Sequence, residues 1–194
     1  CNAILLSVVL ASCAAPPSSR SAAGQSPVAG DHTFLPFLGN RTPPPGYLQI
    51  TDGGGDEDQP ALSPDNQSVV YVRRTVDGAV DLFWQPLFGA PVNLTRSPEI
   101  QEETPVFTSD GAAVVFAADG SGDWDLYQLD LHSRAIVPLI SAPVSDELHP
   151  AFGIGGKALY FSSNRAGGNW DIYVHTVAGD FGERLTTSPG MDRF

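Results

Sequence analysis

Three segments of this chain repeat one another at a nearly constant interval: Asn169-Trp170-Asp171-Ile172-Tyr173, Asp123-Trp124-Asp125-Leu126-Tyr127 and the looser Val80-Asp81-Leu82-Phe83. About a dozen residues before each stands a β-branched or aromatic run: Val69–Val72, Val114–Phe116 and Leu159–Phe161. About a dozen residues after each stands Asn93-Leu94-Thr95, Pro138-Leu139-Ile140 or Arg184-Leu185-Thr186. Pro60, Pro105 and Pro150, ahead of the three units, stand 45 residues apart, and the anchors Asp81, Asp125 and Asp171 agree within a residue. A fixed period of about 40 to 50 residues marks a repeat array, and four short strands at that length make a propeller blade.

Each unit reads as an inner strand a (Pro60–Ser63, Pro105–Thr108, Pro150–Phe152), a tight turn, a strand b, a second turn, a strand c from the Asp anchor and an outer strand d. The b runs are apolar at consecutive positions because a blade is covered on both faces by its neighbours. The predicted fold is therefore all-β: a propeller of four-stranded antiparallel blades, with about three blades of a six- to eight-bladed ring present. Tyr47–Thr51 matches a strand d with no strands a to c before it, as a ring-closing strand would. In an open arc it lacks closing partners unless it pairs elsewhere. Met191–Phe194 begins a fourth unit, so the chain reads as cut at its back.

Several function classes are disfavoured by composition. Twenty-two acidic against 10 basic residues give a formal charge of −12 with no basic cluster, the wrong sign for tracking phosphates, so no nucleic acid is expected as a partner. Cys1 and Cys13, the two cysteines, leave no disulfide or thiolate metal site for the repeats.

Residues 1–12 read as a secretory signal whose basic n-region is missing. The apolar run Ala3–Ala11 is too short to span a bilayer, and Leu10-Ala11-Ser12-Cys13 resembles a bacterial lipobox. Cys13 is thus the expected lipid anchor to the membrane, with Ala14 after it favouring the outer membrane by resemblance to Gram-negative lipoproteins. Residues 13–46, rich in Pro, Ser and Gly, read as a tether, and 47–194 as a partial propeller.

The Ser63-Pro64-Asp65-Asn66 turn, the Ser162–Arg165 run before Asn169–Tyr173 and the closing Arg184-Leu185-Thr186 resemble the TolB-type propeller repeat over about residues 47–194. The third unit departs from it at Gly153-Ile154-Gly155-Gly156, where the hairpin turn chemistry is lost, and the first lacks the tryptophan. The resemblance implies a periplasmic, non-enzymatic, lipid-anchored envelope scaffold that binds another envelope protein or a peptidoglycan-associated partner. The alternative it implies is the propeller of a larger enzyme, a serine peptidase or polysaccharide lyase, with its catalytic part beyond residue 194.

Within the chain no catalytic residue, metal site or cofactor is expected. Asp119–Asp125 alternates oxygen-bearing side chains as a calcium loop would, but its sister turn Asn164–Asp171 loses most carboxylates, so a strand b to c turn is the better reading. Histidines 32, 132, 149 and 175 are scattered, and no Gly-x-Ser-x-Gly elbow occurs. Asp81, Asp125 and Asp171 repeat in register, which suggests a hydrogen-bonded structural role.

Glu57, Glu102 and Glu147 stand three residues before the strand a prolines, and Asp192 falls one period later. If that point is the loop entering the innermost strand, the four carboxylates surround one mouth of the channel. They then either cap turns and pair with the neighbouring blade, or form a negative rim that selects a cationic segment or a divalent ion.

Overall fold

The computed structural model describes residues 5–6, 48–176 and 182–193. Cys13, most of the predicted signal segment and the tether lie outside the described residues. So does Tyr47.

Leu5–Leu6 (β1) pairs antiparallel with Leu48–Gln49 (β2), so the isolated strand finds its partner in the apolar run near the start of the chain. Three four-stranded sheets come after it. Blade 1 is Asp56–Leu62 (β3), Ser68–Arg74 (β4), Val80–Pro86 (β5) and Val92–Asn93 (β6). Blade 2 is Glu102–Phe107 (β7), Ala113–Ala118 (β8), Asp125–Asp130 (β9) and Ile136–Ile140 (β10). Blade 3 is Glu147–Phe152 (β11), Ala158–Ala166 (β12), Asn169–Thr176 (β13) and Glu183–Arg184 (β14). In each sheet the strands pair antiparallel in chain order, which is the blade topology that the period predicts.

Local turn chemistry closes the hairpins. The Ser63 hydroxyl donates to Asp65 at 2.6 Å, and Asn66 takes φ 58°; in blade 2 the Thr108 hydroxyl donates to Asp110 at 2.6 Å. Blade 3 replaces this turn with a 3₁₀ turn at Ile154–Gly156, in which Gly155 and Gly156 supply the positive φ, so its hairpin forms by a different device.

The inner strands begin earlier than expected, and this changes the position of the glutamates. A proline lacks the N–H that a ladder needs, so a strand crossing one ends there or bulges. All three bulge: pairing runs Glu57↔Arg73 and Asp58↔Val72, slips, and resumes at Ala61↔Val70, with the same slip after Glu103 and Leu148. Glu57, Glu102 and Glu147 therefore lie within strands, not in the loops that enter them.

Packing between blades makes the core. Val70, Val72 and Leu82 of blade 1 meet Phe107, Val114 and Phe116 of blade 2, while Val115, Ala117 and Leu126 of blade 2 meet Leu159, Phe161 and Tyr173 of blade 3. Ile50 lies against Val69, Tyr71 and Phe83 on the other face of blade 1. All six residues of β8 are buried, as a strand covered on both faces requires.

Candidate functional site on the innermost strands

The repeated Asp anchors are buried, and each ties the start of strand c to a neighbouring turn or strand. Asp81 accepts from the Asn93 amide at 2.7 Å and the Ser97 N–H at 2.9 Å, Asp125 from the Ser121 hydroxyl at 2.6 Å, and Asp171 holds Arg184 at 2.7 Å. Asp119 of the calcium-like loop accepts from the Gln101 N–H at 2.7 Å.

Glu57, Glu102 and Glu147 are 4%, 2% and 0% exposed. Burial of a carboxylate is costly unless it is paired or hydrogen-bonded, and each is engaged within the fold. Glu57 pairs with Arg73 at 2.6 Å. Glu102 reaches back into blade 1, accepting from the Leu82 N–H at 3.0 Å and the Thr95 hydroxyl at 2.6 Å. Glu147 accepts from the Ser145 and Ser163 hydroxyls, both at 2.8 Å, and from the Ala142 N–H at 3.2 Å, with Arg165 at 3.3 Å. Burial pushes the Glu102 carboxyl up to about 7, against hydrogen bonds from Thr95 and Ser97. It raises Glu147 as well, against Ser145, Ser163 and Arg165.

Asp192 is half-buried and accepts from the Ser188 hydroxyl at 2.6 Å. Its N–H donates to the Trp170 carbonyl at 2.7 Å, as the Glu147 N–H does to the Trp124 carbonyl at 2.6 Å, so the period extends to it. The described geometry thus holds three of the four carboxylates inside the blades and blade contacts, away from solvent.

Facing the inner side of the arc is a different set of residues at the same period. The edge strands β3, β7 and β11 lie beside one another, and Gln59, Thr104 and His149, each directly before the bulge proline, take φ of 51°, 52° and 55°. A side chain at left-handed φ costs about 1–2 kcal/mol, and such residues persist where the surrounding structure holds them. Together with Pro60, Pro105 and Phe152 they line an apolar-floored groove of about 510 Å³ across the three inner edges.

The groove is unevenly satisfied. The Gln59 side-chain carbonyl accepts from the Thr104 N–H of the next blade. The shorter Thr104 side chain leaves its Oγ1 buried without a partner among the described residues, and His149 Nδ1 is likewise buried and unpartnered. Burial, followed by the charge of Arg193, lowers the His149 pKa from its ordinary value, so the ring is held neutral. A neutral imidazole and a hydroxyl in an apolar groove can each exchange one hydrogen bond with a ligand. In the sequence His149 stands out alone, because the backbone conformation that aligns it with Gln59 and Thr104 has no signal except the residue-before-proline repeat.

No family model matches the chain, and no curated protein matches it. Among solved structures it is similar to TolB from Acinetobacter baumannii (19% identity, TM-score 0.65), matching 76% of this chain and 36% of that one. It is similar to a putative TolB from Agrobacterium tumefaciens (21% identity, TM-score 0.67), with 77% and 54% covered. A third similar structure is a puromycin-hydrolyzing peptidase from Mycobacterium tuberculosis (17% identity, TM-score 0.58; 69% and 22%). The match spans about a third to a half of the length of the two TolB structures. These likenesses define the fold: the three sheets are blades of a TolB-like β-propeller.

Proposed function

We propose that this chain is the partner-binding part of a lipid-anchored envelope propeller, and that an extended segment of another envelope protein lies along the groove of β3, β7 and β11. The observation that carries the reading is the pair of buried polar atoms, Thr104 Oγ1 and His149 Nδ1, without partners among the described residues, on a repeated bulge over an apolar floor. Buried polar groups without partners are rare in folded proteins, and a ligand that supplies the missing hydrogen bonds accounts for both. Cys13 is the proposed anchor. A carboxylate rim is not part of this reading, because Glu57, Glu102 and Glu147 are buried.

The test places a photoreactive amino acid at position 104 in cells of a Gram-negative host. The expected result is a discrete cross-linked envelope protein in the outer-membrane fraction, lost with His149→Ala, and a soluble propeller with Cys13→Ser. Cross-linking that His149→Ala leaves unchanged overturns the groove assignment, and membrane retention of Cys13→Ser overturns the anchor. A second reading, the propeller of a larger enzyme, is supported by the likeness to the mycobacterial peptidase. A Gly-x-Ser-x-Gly segment in the sequence after Phe194 would favour it.

A further inference from the structure

The three blades carry the same aromatic pair between strands b and c: Tyr71 with Phe83, Phe116 with Tyr127, and Phe161 with Tyr173, with ring centroids 6.0, 6.0 and 5.7 Å apart. Blade 1 covers its pair with Arg73, whose guanidinium carbon lies 4.2 Å from the Phe83 centroid and 5.5 Å from that of Tyr71, while the same group pairs with Glu57. Blade 3 covers its pair with Arg165, 4.8 Å from Tyr173 and 5.2 Å from Phe161, beside Glu147. Buried glutamate, aromatic pair and guanidinium thus form one arrangement, built twice.

Blade 2 has the glutamate and the rings without the cation. Ala118 stands opposite Glu102 in the ladder, where Arg73 stands opposite Glu57. Gly120 stands one period before Arg165. Either position could have carried the arginine, and both border a cavity of about 170 Å³ lined also by Glu102, Phe116, Tyr127 and Ile100. Ile136, 43% exposed, lines it as well and sits on the outer strand of the blade. Among the described residues no arginine stacks on this pair.

We propose that this cavity on blade 2 is a binding site for a guanidinium group of a second molecule, held between the Glu102 carboxylate and the faces of Phe116 and Tyr127. The chemistry is that of the two filled copies. A planar guanidinium stacks on aromatic faces and forks onto a carboxylate, whereas an ammonium is a compact, strongly hydrated point charge. An entering cation also favours the ionised form of Glu102, offsetting the burial that pushes this carboxyl up to about 7. The site is separate from the inner groove and does not depend on what the groove binds.

The source of the guanidinium is either a free small molecule or an arginine side chain of a partner protein. Calorimetric titration of the full chain with agmatine and with acetyl-Gly-Arg-Gly-amide, alongside the lysine counterpart of the peptide, distinguishes them. Saturable binding is expected, with proton release near pH 7 as Glu102 ionises and with the lysine peptide weaker by about tenfold. Equal affinity for agmatine and peptide would assign the site to the free head group. A peptide tighter by more than about tenfold would assign it to a partner's arginine.

Ala118→Arg should rebuild the blade 1 arrangement, raise the melting temperature and abolish binding, and Glu102→Gln should fold and bind at least about tenfold more weakly. No binding of either ligand at about 10 mM overturns the proposal. So does binding that Glu102→Gln leaves unchanged, a result that decides the question even if Ala118→Arg fails to fold.

Discussion

A glutamate at one repeat position meets a different set of partners in each blade. Arg73 supplies a counter-charge to Glu57 and Arg165 to Glu147, while among the described residues Glu102 has hydrogen bonds alone. With the folded pKa near 7 against an ordinary 4.5, the native state binds more protons than the unfolded chain between those values. Stability therefore falls as pH rises through that window, and the loss levels off above it. Glu102→Gln keeps an oxygen that can accept from Leu82 N–H and Thr95 while carrying no charge. Denaturant unfolding across the pH window should show the wild-type decline flattened in this variant, with stability at pH 8 higher by on the order of 2 kcal/mol. An unchanged decline would place the proton uptake on another group. Glu102 was visible in the sequence as a repeated carboxylate. Its missing partner was not, because Ala118 reads as an ordinary apolar strand residue until the register sets it opposite the glutamate.

The inner strand shows how one element was half legible. The prolines at 60, 105 and 150 mark it, and their spacing predicts a strand that starts on them. The bulge carries the strand past the proline and draws the preceding glutamates into the ladder. Its consequence is a left-handed residue in front of each proline, at Gln59, Thr104 and His149. Threonine is poorly suited to that conformation, and among the described residues its hydroxyl has no partner to lose. Thr104→Asn should therefore stabilise by about 0.5–1 kcal/mol, raising the melting temperature by roughly 1–4 °C, because asparagine tolerates left-handed φ better. Calorimetric melting checks this, and a lowered transition would show that Thr104 makes a favourable contact through its methyl group. The turns, in contrast, were legible residue by residue, since the Ser63–Asp65 and Thr108–Asp110 hydrogen bonds are contacts over two positions.

Across the whole molecule, burial of the middle strands records which faces have a neighbour. In β8 every residue is buried, whereas in β12 and β13 Tyr160, Ile172 and Val174 are half-buried, while Phe161 and Tyr173 facing blade 2 are buried. Tyr160 pairs with Val174 and Ser162 with Ile172, so the three apolar side chains share the far face of blade 3. An apolar face of this kind promotes association, and the 194-residue chain in isolation should self-associate through it. Sedimentation velocity should show concentration-dependent association for the wild type and a shift toward monomer for Val174→Lys. A monodisperse wild-type monomer would refute the prediction.

The period, the strand count and the antiparallel blades were determined by the sequence alone, because strand patterning and turn chemistry act over a few residues and repeat every 45. Which carboxylates are buried, which residues share the inner groove and which blade lacks its arginine were decided only in the tertiary structure. Each depends on side chains tens of residues apart meeting across a ladder or a blade interface. There a one-residue slip at a proline changes the partner of every residue behind it.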